Sequence, residues 1–175
     1  MRTGKKYTGV IVPAVTPLTD KLQIDEAAVS KLFAFFYKHN ISPFILGTTG
    51  EAASLPLQIK KDYVLAAEKN KKPGTLLYAG ISSNVLTESI EFAEFCKEHA
   101  VDVVVATLPS YYALTDKQML KYFTTLADAI SLPLFIYNIP ATTHMSIPLA
   151  VIDELSQHKN IVGLKDSERS EERML

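Results

Sequence analysis

The chain has 175 residues, 47% of them hydrophobic and 21% charged, with a formal net charge of −1. It is too apolar and too neutral for a disordered tail, and it offers no electrostatic case for nucleic acid or an anionic membrane as partner. Its lone cysteine, Cys96, excludes an intrachain disulfide and a cysteine-based zinc site, and no apolar stretch is long enough to span a bilayer.

The N-terminal segment MRTGKKYTG is basic but lacks the apolar core of a secretion signal, so a cytoplasmic protein is expected. The first apolar run is Gly9-Val10-Ile11-Val12-Pro13-Ala14. A helical pattern follows from Asp25 to His39, with Val29, Leu32, Phe33 and Phe36 on one side and Asp25 as N-cap or first-turn acid. The second run is Pro43-Phe44-Ile45-Leu46-Gly47, followed by a helix over Leu57 to Lys69. Lys69, Lys71 and Lys72 crowd the end of that helix, where cations suit the dipole, and Pro73-Gly74 stops it. Thr75-Leu76-Leu77-Tyr78-Ala79 is the third run and Val85 to Lys97 the third helix, where Cys96 reads as a small buried hydrophobe. The fourth run, Val101 to Ala106, precedes a helix over Asp116 to Ala129, opened by a capping box of Thr115 and Gln118. Leu134-Phe135-Ile136-Tyr137 leads to a helix over Pro148 to Gln157, whose proline suits a first turn. The sixth run is Ile161-Val162-Gly163-Leu164, and SERSEERML reads as the opening turn of a sixth helix.

The runs are rich in β-branched residues and do not alternate with polar ones, the pattern of strands buried on both faces of a parallel sheet. They begin at residues 9, 43, 75, 101, 134 and 161, so each β-α unit is roughly thirty residues, the size of a βαβ repeat. Two architectures fit: a doubly wound open sheet, or part of a (β/α)8 barrel. No Gly-x-Gly-x-x-Gly follows the first run, which weakens the dinucleotide-binding version. The third possibility for function, a flavodoxin-like sheet binding a phosphorylated ligand, would need a phosphate-cradling turn there, and Ala14-Val15-Thr16-Pro17 is a poor one. In the barrel reading the whole chain is a single partial barrel domain that lacks strands seven and eight and any C-terminal helical region, since a barrel takes about 250 residues.

In parallel α/β folds ligands meet the C-terminal ends of the strands. Those ends carry Gly47-Thr48-Thr49-Gly50-Glu51, Pro109-Ser110-Tyr111-Tyr112, Tyr137-Asn138-Ile139-Pro140 and Lys165-Asp166-Ser167. A lysine, tyrosines and hydroxyls with few carboxylates suit amine catalysis. A neutral lysine condenses with a ketone to an iminium, which acts as electron sink for a neighbouring C–C bond. Lys165, beside the apolar run Ile161 to Leu164, suits the nucleophile; Tyr137, ending the neighbouring run, suits the proton shuttle; Thr48 and Thr49 suit a carboxylate ligand. Thr48 to Glu51 also reads as a tight turn and helix cap, with Glu51 complementing the dipole. Ser82 and Asn84 read as turn-formers, and Asp166 as a structural neighbour of the lysine. His39, His99, His144 and His158 are scattered without ligand spacing, so neither a metal nor a cofactor is expected.

Gly47-Thr48-Thr49-Gly50-Glu51, Tyr137-Asn138-Ile139-Pro140 and Gly163-Leu164-Lys165-Asp166-Ser167 together resemble, in order and spacing, the signatures of the dihydrodipicolinate synthase / N-acetylneuraminate lyase family. The resemblance runs from about Gly9 to the end. It implies a (β/α)8 barrel and a class I enzyme, a lyase, aldolase or synthase acting on pyruvate or a related 2-oxo acid and an aldehyde. It makes Lys165 the Schiff-base lysine, Tyr137 the proton relay, and Thr48 and Thr49 carboxylate ligands, with Thr49 also in the relay. Tyr112 matches a tyrosine that enters a neighbouring subunit's site, so a homo-oligomer, dimer or tetramer, is implied. The synthase branch carries an arginine shortly after Tyr-Asn-x-Pro. Here Ala141-Thr142-Thr143-His144 follows, which favours the sugar-acid branch. The alternative to an enzyme is an inactive or regulatory relative that still binds a 2-oxo acid.

Overall fold

The computed structural model describes residues 7 to 173 of the chain, which divides into two compact units, Met1–Tyr78 and Ala79–Leu175. The basic start of the N-terminal segment and the last two residues of SERSEERML lie outside the described residues.

The first unit contains strand β1 (Val10–Pro13), helix α1 (Glu26–Lys38), strand β2 (Ile41–Ile45), a 3-10 turn at Ala52–Ser54 and helix α2 (Leu57–Asn70). Strands β1 and β2 pair in parallel, with Val10 opposite Ile41 and Pro13 opposite Phe44. Asp25 caps α1 as expected, its carboxylate accepting from the Ala28 N–H at 2.9 Å. The helix buries Val29, Phe33 and Phe36 and packs on α2, which buries Tyr63, Val64, Ala66 and Ala67. Lys69, near the end of α2, reaches Glu26 at the start of α1 with a 2.7 Å ion pair. Both side chains are mostly exposed, so the pair adds little stability. Buried Tyr63 donates its hydroxyl to the Val15 carbonyl at 2.7 Å, and burial pushes its phenol far above the ordinary range, so it stays a donor.

Strand β3 (Tyr78–Gly80) lies at the junction, and the second unit begins within it at Ala79. That unit holds helix α3 (Leu86–Glu98), strand β4 (Val103–Ala106), helix α4 (Asp116–Ala129), strand β5 (Leu134–Asn138), a short helix α5 (Pro140–Thr143), helix α6 (Leu149–Ser156) and strand β6 (Ile161–Asp166). Every residue of β4 is buried, as a strand covered on both faces requires. Helix α4 buries Met119, Phe123, Leu126 and Ala127 and packs on α3 and α6. Burying each large apolar side chain is worth about 1.5–3 kcal/mol. The Gln118 carbonyl accepts from the Thr115 N–H at 2.8 Å and from its hydroxyl at 2.9 Å, the reach-back of the expected capping box. Asn160 presents one amide nitrogen to the carbonyls of Ala127 (3.1 Å), Ile130 (3.0 Å) and Leu132 (3.1 Å), tying the end of α4 to the approach of β5. Cys96 is fully buried, and desolvation pushes its thiol up to about 12.

Strand order in the sheet is the chain order, β1 through β6. A flavodoxin-like sheet would run 2-1-3-4-5, so that reading is excluded and the fold is six parallel strands with helices, part of the (β/α)8 barrel class. Four features depart from the sequence-based expectation. The third strand is shorter, because Gly74 at φ +80° makes a turn that Thr75 closes by hydroxyl and N–H bonds to the Lys72 carbonyl (2.6 and 3.2 Å). Helix α5 was not foreseen, although Pro140 fits its first turn. Glu51 stands at the N-cap of the 3-10 turn, in the left-handed region at φ 53°, but its side chain makes no cap hydrogen bond, and that turn and Pro56 separate it from α2. The expected sixth helix is, in the described residues, one 3-10 turn at Glu171–Arg173.

Replacing Tyr63 with Phe leaves the Val15 carbonyl without its donor. The expected loss is about 1–3 kcal/mol of unfolding free energy, read as a lower urea midpoint at unchanged slope.

Candidate active site

In the first unit, Thr48 and Thr49 are exposed on the turn that leaves β2. The Gly50 N–H bonds the Gly47 carbonyl at 3.1 Å, and the Glu51 N–H bonds the Thr48 carbonyl at 3.0 Å. The turn is anchored to the segment after β1, where the Thr16 hydroxyl donates to the Gly50 carbonyl at 2.7 Å. A Cβ on Gly50 would lie 3.0 Å from the Ala14 carbonyl oxygen, so the close approach that presents both threonines needs glycine there. Tyr63, bonded to Val15, fixes the same segment from below.

In the second unit, Tyr137 and Lys165 come together. They are register partners on β5 and β6, and in a parallel pair partners share one face. The Lys165 Nζ lies 3.5 Å from the centroid of the Tyr137 ring, a cation–π contact worth about 1 kcal/mol. The same nitrogen lies 3.3 Å from the Ser167 hydroxyl. Lys165 is half-buried and Tyr137 is buried. The lysine stands inside the strand rather than beyond its end, because the ladder continues to Asn138 opposite Asp166.

This pairing depends on an irregularity. Leu134 pairs with Ile161, an offset of 27, whereas Phe135 pairs with Gly163 and Tyr137 with Lys165, an offset of 28. Val162 is therefore an extra residue in β6, a bulge of the kind that re-aims side chains. Without it Tyr137 would face Leu164. One layer below the pair, Phe135 covers Gly163, where a Cβ would fall 2.6 Å from the ring, so only glycine leaves the ring its place.

The opposite face carries a polar network of which the sequence singled out only Asp166. Asn138 is buried and donates from Nδ2 to Asp166 Oδ1 and to Glu168 Oε2, both at 2.9 Å. Its Oδ1 accepts from the Ile147 N–H at 3.1 Å, and its carbonyl from the Ser167 N–H at 2.9 Å. Ser146 donates to Glu168 at 2.5 Å. Arg173, its side chain 7% exposed, places Nε 2.8 Å from Asp166 Oδ2 and 3.4 Å from Glu168 Oε2. Burial tends to raise the Asp166 carboxyl. The Glu168 N–H, the Asn138 amide and the Arg173 guanidinium outweigh it and hold the group below the ordinary aspartate range. The Ser146 hydroxyl and then the Asn138 amide hold Glu168 low as well. Asp166 is thus structural, as expected. A hint was present in strand alternation, which puts Asn138 and Asp166 opposite to Tyr137 and Lys165; nothing in the pattern pointed to Arg173.

Tyr112 is 75% exposed and meets Tyr111 edge-on, with centroids 4.8 Å apart. The loop bearing them is held by turn-formers: Asn84 accepts from the Ser110 N–H at 2.8 Å and Ser82 from the Thr107 N–H at 2.9 Å. His144 is exposed, and His158 sits 3.0 Å from Asp128. Among the described residues no three His, Cys, Asp or Glu side chains gather as a metal site would require, and no helix is long and apolar enough to cross a membrane.

Six parallel strands in chain order, with helices between them and a lysine beside a tyrosine on the last two, define a partial (β/α)8 barrel. The Dihydrodipicolinate synthetase family profile matches residues 6–175, and the chain belongs to that family. It is 33% identical over 162 residues to a 4-hydroxy-tetrahydrodipicolinate synthase of Acidiphilium cryptum, covering 92% of this chain and 56% of that protein. It superposes with a TM-score of 0.90 and 27% identity on YagE, an Escherichia coli K12 prophage protein of the dihydrodipicolinic acid synthase family solved with pyruvate, covering 94% of this chain and 56% of that one. A sialic acid aldolase of Ruminococcus gnavus, with its catalytic lysine mutated, shares the fold at TM-score 0.90 and 22% identity, covering 99% of this chain and 58% of that one. The chain thus spans a little over half the length of the relatives it matches.

Because Asp166 and Glu168 titrate lower in the folded chain, the stability they confer is present above their unfolded values, about 4, and is lost as pH falls through and below them. Unfolding free energy should decline as pH drops from about 5 to about 3, and Asp166→Asn should flatten that decline. Equal declines of unfolding free energy with pH in the wild type and Asp166→Asn, read from urea titrations, would contradict the assignment.

Proposed function

We propose that this chain belongs to a carbon–carbon lyase, aldolase or synthase that forms a Schiff base between Lys165 and pyruvate or a related 2-oxo acid. The observation that carries the reading is Lys165 Nζ held 3.5 Å over the Tyr137 ring at the C-terminal ends of adjacent strands. The neutral amine adds to the C2 carbonyl to give a carbinolamine. Loss of the carbonyl oxygen as water leaves the iminium. The iminium draws electrons from C3: a C3–H proton departs to give the enamine, which attacks an aldehyde, or, in reverse, the C3–C4 bond breaks to release one. Tyr137 is the proposed donor and acceptor of the protons moved in these steps.

Thr48 and Thr49 are proposed carboxylate ligands, with Thr49 also in the relay, on the family likeness and on their exposure in an anchored turn. The sugar-acid branch is the finer proposal. What supports it is that the residues after Pro140 form α5 as Pro-Ala-Thr-Thr, with no arginine there. Tyr112 is proposed as a contact to a second copy of the chain, on its exposure. A monodisperse monomer in light scattering would count against that contact.

Intact mass after incubation with pyruvate and sodium borohydride tests the reading. A reduced pyruvyl adduct is expected on the wild type and not on Lys165→Arg, and Tyr137→Phe should slow its formation by about 10²–10⁴-fold. A folded wild type that gains no adduct would overturn the enzyme and leave a 2-oxo acid binder, to be checked by calorimetry with pyruvate.

A further inference from the structure

Four residues behind the lysine–tyrosine pair close a hydrogen-bonded ring. Asn138 Nδ2 donates to Asp166 Oδ1 (2.9 Å); Arg173 Nε donates to Asp166 Oδ2 (2.8 Å); Arg173 Nη1 donates to the Ile147 carbonyl (2.9 Å); and the Ile147 N–H donates to Asn138 Oδ1 (3.1 Å). The ring joins the last residue of β5, the last residue of β6, the loop before α6 and the 3-10 turn at Glu171–Arg173. Asn138 and Asp166 are themselves register partners, and each directly follows one member of the pair.

We infer that Arg173 is a positioning residue for the Schiff-base chemistry, holding Lys165 opposite Tyr137 by closing this ring; the inference rests on the function proposed above. The bulge at Val162 puts β5 and β6 one residue out of simple register, and such a shift must be held at the strand ends. The polar pair one step beyond Tyr137 and Lys165 holds it. Arg173 serves two partners at once, a carboxylate through Nε and a carbonyl through Nη1, from two nitrogens that a planar guanidinium holds in fixed geometry and a single ammonium nitrogen does not reproduce. Its one positive charge also lies against two carboxylates, Asp166 and Glu168, that share the one Asn138 amide nitrogen. Without the guanidinium, like charges press on the end of β6, next to the lysine.

The test uses the full chain and the rate of borohydride trapping with pyruvate. Arg173→Ala should lower the rate constant at saturating pyruvate at least tenfold and change the half-saturating pyruvate concentration less than threefold. Guanidinium chloride at millimolar concentration should restore the rate several-fold, and sodium chloride at equal strength should not. Arg173→Lys should recover less than guanidinium does. Trapping at the wild-type rate in a folded Arg173→Ala overturns the inference. So does a loss, in an Arg173→Ala variant that keeps its cooperative melt, that guanidinium leaves unrescued. If Arg173→Ala does not fold, Asp166→Asn opens the ring at the same bond, and a wild-type rate there is equally decisive. No adduct on the wild type is a different failure, that of the Schiff-base reading, and it takes the positioning role with it.

Discussion

The register between β5 and β6 is the constraint on which the candidate site depends. Side-chain direction in a strand has a period of two, so a slip of one residue sends every side chain to the other face. With the offset at Leu134–Ile161 carried through, Tyr137 would stand beside Leu164, and Lys165 would lie one step out of line. The extra residue at Val162 corrects this within a single step. Everything distal to it follows: Phe135 over Gly163, Tyr137 beside Lys165, Asn138 beside Asp166.

The two faces of that strand pair do different work. One is a column of ring, glycine, ring and amine, where the lysine nitrogen lies over a phenol ring. The other concentrates ionised groups and satisfies them with each other and with backbone: Asp166 and Glu168 are held in their charged forms by Asn138, Ser146 and Arg173. Separating the faces keeps the carboxylates engaged behind the sheet. The polar face gives rigidity, because a satisfied network tolerates few alternative arrangements.

Much of this was legible in the residues. The six apolar runs became six strands in chain order, and the helices fell within about a residue of their expected bounds, because apolar period and caps such as Asp25 and Thr115 are local signals. Lys165 and Tyr137 were found by residue type at strand ends. What was not legible is what depends on three-dimensional closure. Helix α5 is only four residues long, too short for a periodic signal. The bulge at Val162 has no marker in a run of apolar residues. Glu51 looked like a helix cap because of its charge, yet its side chain makes no cap hydrogen bond and the 3-10 turn separates it from α2. Arg173 sits eight positions beyond the lysine in a charged segment that reads as the opening turn of a helix, and only the tertiary structure brings it back onto Asp166.

The fully buried Cys96 has a practical consequence. It is the chain's one thiol, packed within α3 and held protonated far above neutral pH, so it is sheltered from alkylating reagents in the folded state. A cysteine introduced on a surface loop would therefore be the single addressable sulfur, and a fluorophore or spin label could be placed there in the natural background. Exposure of Cys96 itself, detected as a second labelled site, would then report opening of the helical layer in real time.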